Sequence, residues 1–261
     1  MVEKPDREKW LAQLPAIVDE LASRWSLEIG RPYDVPRAGG VGWAARVRRT
    51  DGTKAVLKVN FPHKEAVHEA EALRLIGGEG AAILLESAPE LCALLLERLE
   101  PGAPLWELPD EQGIPIAAGV LRRMWRPVPE GHPFDRLADY AAEWAAELPS
   151  AWGALAAELA ASMGDQVLLH QDFHQGNVLS AQREPWLAID PKPLVGEREF
   201  DTASLLRDRS WEIDAGVVRR RFDTLAELLE LDRERMRAWG VIQALAWDNP
   251  DEAELIAQLT L

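Results

Sequence analysis

Apolar positions at the start of the chain recur at helical spacing. Trp10, Leu11, Leu14, Ile17, Val18 and Leu21 fall on one side of a helix predicted over 6–25 and broken near Pro15. The pattern then changes to alternation. Val41, Trp43, Ala45 and Val47 read as a half-buried strand leaving a glycine-rich turn (38–43, AGGVGW), and AVLKV (55–59) reads as another with Lys58 inside it. Helical spacing returns over 64–76, where Ala66, Leu73 and Ile76 face inward and Glu69 and Glu71 stand among them. The apolar run 91–99 reads as a buried strand that ends in Glu100-Pro101-Gly102. Beyond it the chain is mainly helical, over 114–125, 137–148, 152–163, 217–231 and 233–246, with proline-rich connectors such as 126–133. No internal repeat or low-complexity segment interrupts this order.

The helical part contains one stretch with strand character and unusual chemistry. An apolar strand runs into LHQDFHQGN (169–177), and a second apolar run, 186–189, delivers Asp190. Phosphoryl transfer requires this inventory. A carboxylate, Asp172, holds the attacking hydroxyl and accepts its proton, while an amide oxygen, Asn177, and a second carboxylate, Asp190, hold Mg²⁺ on the phosphates of ATP. The spacing D-x-x-x-x-N is that of a kinase catalytic loop, and Lys58 in its strand matches the lysine that grips the α- and β-phosphates. Glycine turn, lysine strand, glutamate helix, strand-to-Pro-Gly junction, loop and metal acid follow in the order a kinase uses. Two other readings of the loop stay open at this level. His170, Asp172 and His174 alternate as transition-metal ligands on one strand face would. Asp201 can be a structural acid that caps the next helix and receives loop amides.

These motifs carry a family resemblance. LLHQDFHQGNVL (168–179), EPWLAIDPKPLVGEREFD (184–201), LLLERLEPG (94–102) and AVLKVNFPHKEAVHEAEALRL (55–75) resemble the aminoglycoside phosphotransferase superfamily, closest to its streptomycin 6-kinase, or aminoglycoside/hydroxyurea kinase, group. The resemblance implies an α+β, bilobal protein-kinase-like fold, with a small β-rich nucleotide-binding N-lobe (1–98) and a larger, mainly helical acceptor-binding C-lobe (99–261). It implies ATP and Mg²⁺, with Gly39, Gly40 and Gly42 over the phosphates, Glu69 holding Lys58, and the Glu97 carbonyl and Leu99 amide meeting the adenine edge. His170 and Asp201 would support the loop. Asp248, Glu252 and Lys192 are the candidates for the acceptor. The eleven tryptophans read mostly as core residues, with Trp125, Trp211 or Trp247 as the alternative candidates for a sugar-binding face. The implied reaction is O-phosphorylation of a small cationic or amino-sugar molecule, most simply an aminoglycoside such as streptomycin. The alternatives are a metabolic amino-sugar kinase and a nucleotide-binding pseudokinase. Gln171 departs from the pattern, since the family usually has glycine there.

Composition narrows the partners. The chain has 261 residues, enough for one large or two modest domains, and a net charge of −15. Acids dominate 100–165, and 248–254 holds four of them and no base, which suits a polycationic ligand better than nucleic acid. With only ten residues between Asp190 and Asp201, a protein-kinase activation segment does not fit. The single cysteine, Cys92, allows no internal disulfide. A charged N-terminus and the lack of any apolar run long enough to span a bilayer predict a cytoplasmic protein without membrane contact. The oligomeric state stays open between monomer and dimer.

Overall fold

The computed structural model describes residues 6–33, 42–209, 211 and 213–260. The chain forms two compact units, one comprising residues up to Gly78 together with Ala82–Glu100, the other Glu79–Ala81 together with Pro101–Leu261.

In the first unit, helix α1 (Arg7–Trp25) precedes strands β1 (Leu27–Pro32), β2 (Gly42–Arg49) and β3 (Lys54–Asn60). Helix α2 (Glu69–Ile76) and strands β4 (Leu84–Ala88) and β5 (Ala93–Glu97) follow. The five strands make one antiparallel sheet in the order β1-β2-β3-β5-β4. Alternation does the sorting in β3. Ala55, Leu57 and Val59 are buried with Val47, Leu95 and Trp10, and Lys58 points to the other face. The Asp6 carboxylate caps α1 by accepting from Glu8 and Lys9 N–H. That helix runs unbroken through Pro15, contrary to the predicted break. Proline there removes only one main-chain bond, and the cap and the buried Trp10 and Leu21 hold the flanks. Leu11, placed on the buried side by periodicity, is half exposed. The helix predicted over 64–76 is also shorter: a 3₁₀ turn, Lys64–Ala66, comes first and α2 starts at Glu69.

The second unit holds α3 (Asp110–Met124), β6 (Asp135–Arg136), α4 (Leu137–Glu147), α5 (Ser150–Ala161) and β7 (Val167–Leu169). Then come β8 (Val178–Ser180), β9 (Trp186–Ala188), β10 (Leu194–Gly196), α6 (Arg198–Asp201) and α7 (Ala203–Leu206). It ends in α8 (Ala215–Leu229), α9 (Arg233–Ala246) and α10 (Pro250–Ala257). Two small sheets position the chemistry. β7 pairs antiparallel with β10, and β8 with β9. The short segment Glu79–Ala81 belongs to this unit because Ala81 bridges Ala188 and the Ala188 N–H donates to Gly80 O at 2.8 Å. One apolar core cluster joins Phe200, Trp239, Leu169, Leu194, Leu137 and Ile242. No described helix is long and apolar enough to cross a membrane.

Candidate active site

The first unit supplies a closed cation–carboxylate pair. Strand β3 aims Lys58 away from the core, and Glu69 sits in the first turn of α2 with 2% of its side chain exposed. Lys58 Nζ donates to both Glu69 oxygens at 2.7 Å, and Asn60 Nδ2 adds a bond to Oε2 at 2.8 Å. Such charge-assisted bonds are about twice as strong as neutral ones. Glu71, the other candidate, faces His68 and Arg74 at the surface. Gly42 lies opposite Asn60 in the β2–β3 ladder, where a Cβ would come within 3.0 Å of Asn60 Oδ1 and disturb that network. Gly39 and Gly40 lie outside the described residues. Glu97 ends β5 and its N–H donates to Ile83 O at 2.8 Å; Leu99, just beyond, is buried.

The second unit supplies the loop. β7 ends at Leu169, and the next two amides are taken by Asp201: His170 N–H donates to Oδ2 at 2.9 Å and Gln171 N–H to Oδ1 at 2.7 Å. Trp125 Nε1 adds a third bond at 2.9 Å, so Trp125 belongs to the loop's support and not to a sugar-binding face. Asp201 receives loop amides as expected, but it caps no helix; it closes α6, and Thr202 precedes α7. Burial pushes the Asp201 carboxyl up and the His170 imidazole down. A carbonyl can only accept, so His170 Nε2–H donates to Ile189 O at 2.9 Å, which ties the loop to the strand end before Asp190.

Asp172 follows with two unequal oxygens. Lys192 Nζ donates to Oδ2 at 2.5 Å, whereas His174 Nε2 stands 4.0 Å from Oδ1. Burial raises the Asp172 carboxyl, but Lys192 and His174 outweigh it and the net shift is downward, which keeps the carboxylate charged. Lys192 was a candidate for acceptor binding; the structure places it on Asp172. The antiparallel pairing of Leu194 with Leu169 brings it there, reinforced by Lys192 N–H donating to His170 O at 3.0 Å. Asn177 Nδ2 donates to Asp172 O at 3.0 Å, so its amide oxygen is turned elsewhere. The Ile189 N–H donates to Asn177 O, and Asp190 adopts φ 62°, an uncommon conformation for a non-glycine residue. The oxygen donors of Asn177 and Asp190 suit a hard cation such as Mg²⁺. No group of three His, Cys, Asp or Glu placed to hold a metal exists among the described residues, and His170 is committed to Ile189, so the alternating metal cluster does not form.

Gln171 takes φ 67°, a left-handed backbone that glycine adopts without strain, in keeping with the glycine that the family resemblance leads one to expect here. Its side chain is buried, and its main-chain carbonyl accepts from Ser204 Oγ and from Gln243 Nε2, each at 3.4 Å. Arg207, unmarked in the sequence, lies under the influence of Asp172 and Glu252, donates to Gln243 Oε1 at 3.0 Å and covers Trp247 at 4.5 Å. No sequence signal marks it. Of the acidic tail, Asp248 is exposed while Glu252 is half-buried on the side of Arg207, so Glu252 is the better placed. The tail is a packed helix, not a frayed end, with Ile256 fully buried. Trp211 is 73% exposed.

The sequence profile of aminoglycoside/hydroxyurea antibiotic resistance kinases matches residues 35–248. The chain belongs to this kinase family. It is 40% identical to a streptomycin 6-kinase of Streptomyces griseus, over 95% of this chain and 87% of that protein. It is 39% identical to a hydroxyurea phosphotransferase of Kitasatospora aureofaciens, over 91% of this chain and 74% of that one. The crystal structure of the aminoglycoside phosphotransferase APH(4)-Ia superposes with a TM-score of 0.59 at 17% identity, covering 93% of this chain and 95% of that chain. The protein-kinase-like α+β fold is thereby shown, with its β-rich N-terminal and helical C-terminal parts. Within this kinase family ATP is the implied phosphoryl donor.

Proposed function

We propose that this kinase transfers the γ-phosphoryl group of ATP to a hydroxyl of a cationic aminoglycoside of the streptomycin type. The supporting observation is Asp172: a charged carboxylate with one oxygen held by Lys192 and the other facing His174 across a gap. In the first unit, Lys58 clamped by Glu69 is the group for the α- and β-phosphates. In the second, Asn177 and Asp190 would hold Mg²⁺, which when bound neutralises phosphate charge. Asp172 orients the acceptor hydroxyl and takes its proton late in transfer, and the acidic tail, through Glu252 more than Asp248, attracts the acceptor's cationic groups. A compact, soluble antibiotic or sugar suits such a centre, and the cytoplasm provides the ATP. Residues 1–98 and 99–261 would then divide nucleotide and acceptor duties.

A coupled ATPase screen over streptomycin, other aminoglycosides, hydroxyurea and amino sugars, with ³¹P NMR of the product, tests this reading. A phosphate monoester on an aminoglycoside supports it. Turnover confined to hydroxyurea or glucosamine reassigns the acceptor, and nucleotide binding without any turnover rejects catalysis.

A further inference from the structure

His174 sits two residues after Asp172 with both ring nitrogens accounted for. The Gly176 N–H donates to Nδ1 at 3.1 Å, so Nδ1 carries a lone pair and Nε2 carries the proton in the neutral ring. That Nε2–H faces Asp172 Oδ1 across 4.0 Å, too long for a direct hydrogen bond. The other carboxylate oxygen is taken by Lys192 at 2.5 Å. The ring is also held in place. A Cβ on Gly176 would fall 2.9 Å from His174 Cε1 and 2.4 Å from Trp106 Cζ3, so the two rings pack over the bare glycine.

A separation of 4.0 Å between an N–H donor and a carboxylate oxygen is too short to hold an oxygen on the line between them, but an oxygen beside that line can bridge both. An oxygen about 2.8 Å from each subtends an angle of roughly 90° between them, within the range a hydroxyl can serve as donor and acceptor at once. We propose that the acceptor hydroxyl occupies this gap, donating to Asp172 Oδ1 and accepting from His174 Nε2–H. This deepens the kinase reading above and rests on it. The hydroxyl oxygen forms its bond to the γ-phosphorus of ATP while the bond from that phosphorus to the departing ADP oxygen breaks. The hydroxyl proton passes to Oδ1, and His174 keeps its own proton throughout. Its task is to aim a lone pair away from the attack direction and fix the acceptor oxygen before transfer.

Two substitutions separate this from a loop-capping role. His174→Asn retains an acceptor for the Gly176 N–H but withdraws the donor at Nε2; His174→Gln places an amide N–H near the Nε2 position. With streptomycin as acceptor, His174→Asn should lose about tenfold or more in kcat/KM for streptomycin, the scale of a lost hydrogen bond in an enclosed site. KM for ATP and the melting temperature should stay near wild type, and His174→Gln should recover most of the loss. Wild-type activity in His174→Asn overturns the assignment. So does a Gln variant no better than Asn. Asp172→Asn run in parallel keeps the two levels apart. If it leaves turnover unchanged, or if the wild type phosphorylates no acceptor in the screen, the catalytic reading falls and this inference falls with it; if only the acceptor is reassigned, the same variants are read with that acceptor. If it abolishes turnover while His174→Asn keeps the wild-type kcat/KM, only the inference fails.

Discussion

Each unit contains a lysine paired with a carboxylate, and the two pairs are built differently. Lys58 closes on both oxygens of Glu69, and Asn60 adds a third bond, so each oxygen is engaged. Lys192 binds only one oxygen of Asp172. The difference separates a clamp from a reactive group. A carboxylate with both oxygens held by buried donors is built to hold a cation in place and not to receive a substrate hydroxyl. One that is half held stays charged and aligned while one oxygen keeps room for an incoming hydroxyl. The cost of lowering basicity through Lys192 is offset by keeping Asp172 ionised in a largely enclosed site.

The contrast can be broken most sharply at the open pair. Asp172→Asn retains the shape and removes the proton acceptor, so kcat should fall about 10²- to 10⁴-fold with KM for ATP nearly unchanged in steady-state assays. The closed pair should respond in another currency. Glu69→Ala leaves the mostly buried Lys58 cation without its main partner, and should cost roughly 3 kcal/mol in denaturant unfolding, by the scale for a broken buried pair. It should also raise KM for ATP, the parameter that Asp172→Asn spares.

A third pair tests whether closure matters more than location. In the second unit Asp110 accepts from Arg221 Nε at 2.7 Å, from Gln175 Nε2 at 3.1 Å and from Arg209. Burial alone would raise its carboxyl, but Arg221, Gln175 and Arg209 bring it below the ordinary value. A depressed carboxyl stabilises the fold above its unfolded pKa of about 3.9 and loses that contribution as pH falls through the folded value. Acid titration of the melting temperature below about pH 4 should therefore be less steep in Asp110→Asn than in wild type. An identical acid slope would show that this closed network adds nothing to stability. The smallest effect is expected at Gln171→Gly, next to the open pair. Relief of a left-handed conformation, worth about 1–2 kcal/mol, is offset by greater freedom of the unfolded chain and a lost buried side chain. Stability should move by no more than about 1 kcal/mol, and kcat by less than about threefold. A loss of ten-fold or more in kcat would show that the buried Gln171 side chain sets the loop.

The closed pair was legible in the sequence and the open one was not. Lys58 and Glu69 are linked by a strand and the first turn of the next helix, and the family resemblance, not the local pattern, singles out Glu69, because Glu71 stands in the same E-A-x-x-L setting. The loop residues Asp172, Asn177 and Asp190 were readable from spacing within one short segment. The partner of Asp172 was hidden because Lys192 reaches it through the register of β7 on β10, a long-range pairing that no local pattern encodes. Trp125 on Asp201 and Arg207 on Trp247 are hidden for the same reason, each joining residues far apart in the chain. Helix boundaries from 233 to 246 were read correctly because caps and periodicity agree there: Asp232 accepts from the Arg235 N–H at the start. The last helix, α10, was missed because charge density at 248–254 masked the apolar stripe Ala253, Ile256 and Leu259. Pro15 misled in the opposite sense, since one missing donor is too small a loss to end a helix that is well capped and packed.

The three-residue detour at Glu79–Ala81 makes the polypeptide inseparable at its apparent seam. A cut after Glu100 would seem to yield two independent halves, yet the C-terminal half would lack the Gly80 carbonyl that takes the Ala188 N–H and the Ala81 carbonyl that takes Arg183 Nη2 at 2.8 Å. Ala188 is fully buried, and an orphaned buried amide costs about 1–3 kcal/mol, only two residues from Asp190. Fragment 101–261 should therefore be soluble only when the missing stretch is supplied, and the pair 1–100 and 101–261 should behave as complementing fragments. Asp190, proposed above to face Mg²⁺, thus owes its footing to a stitch sewn from the residues before Glu100.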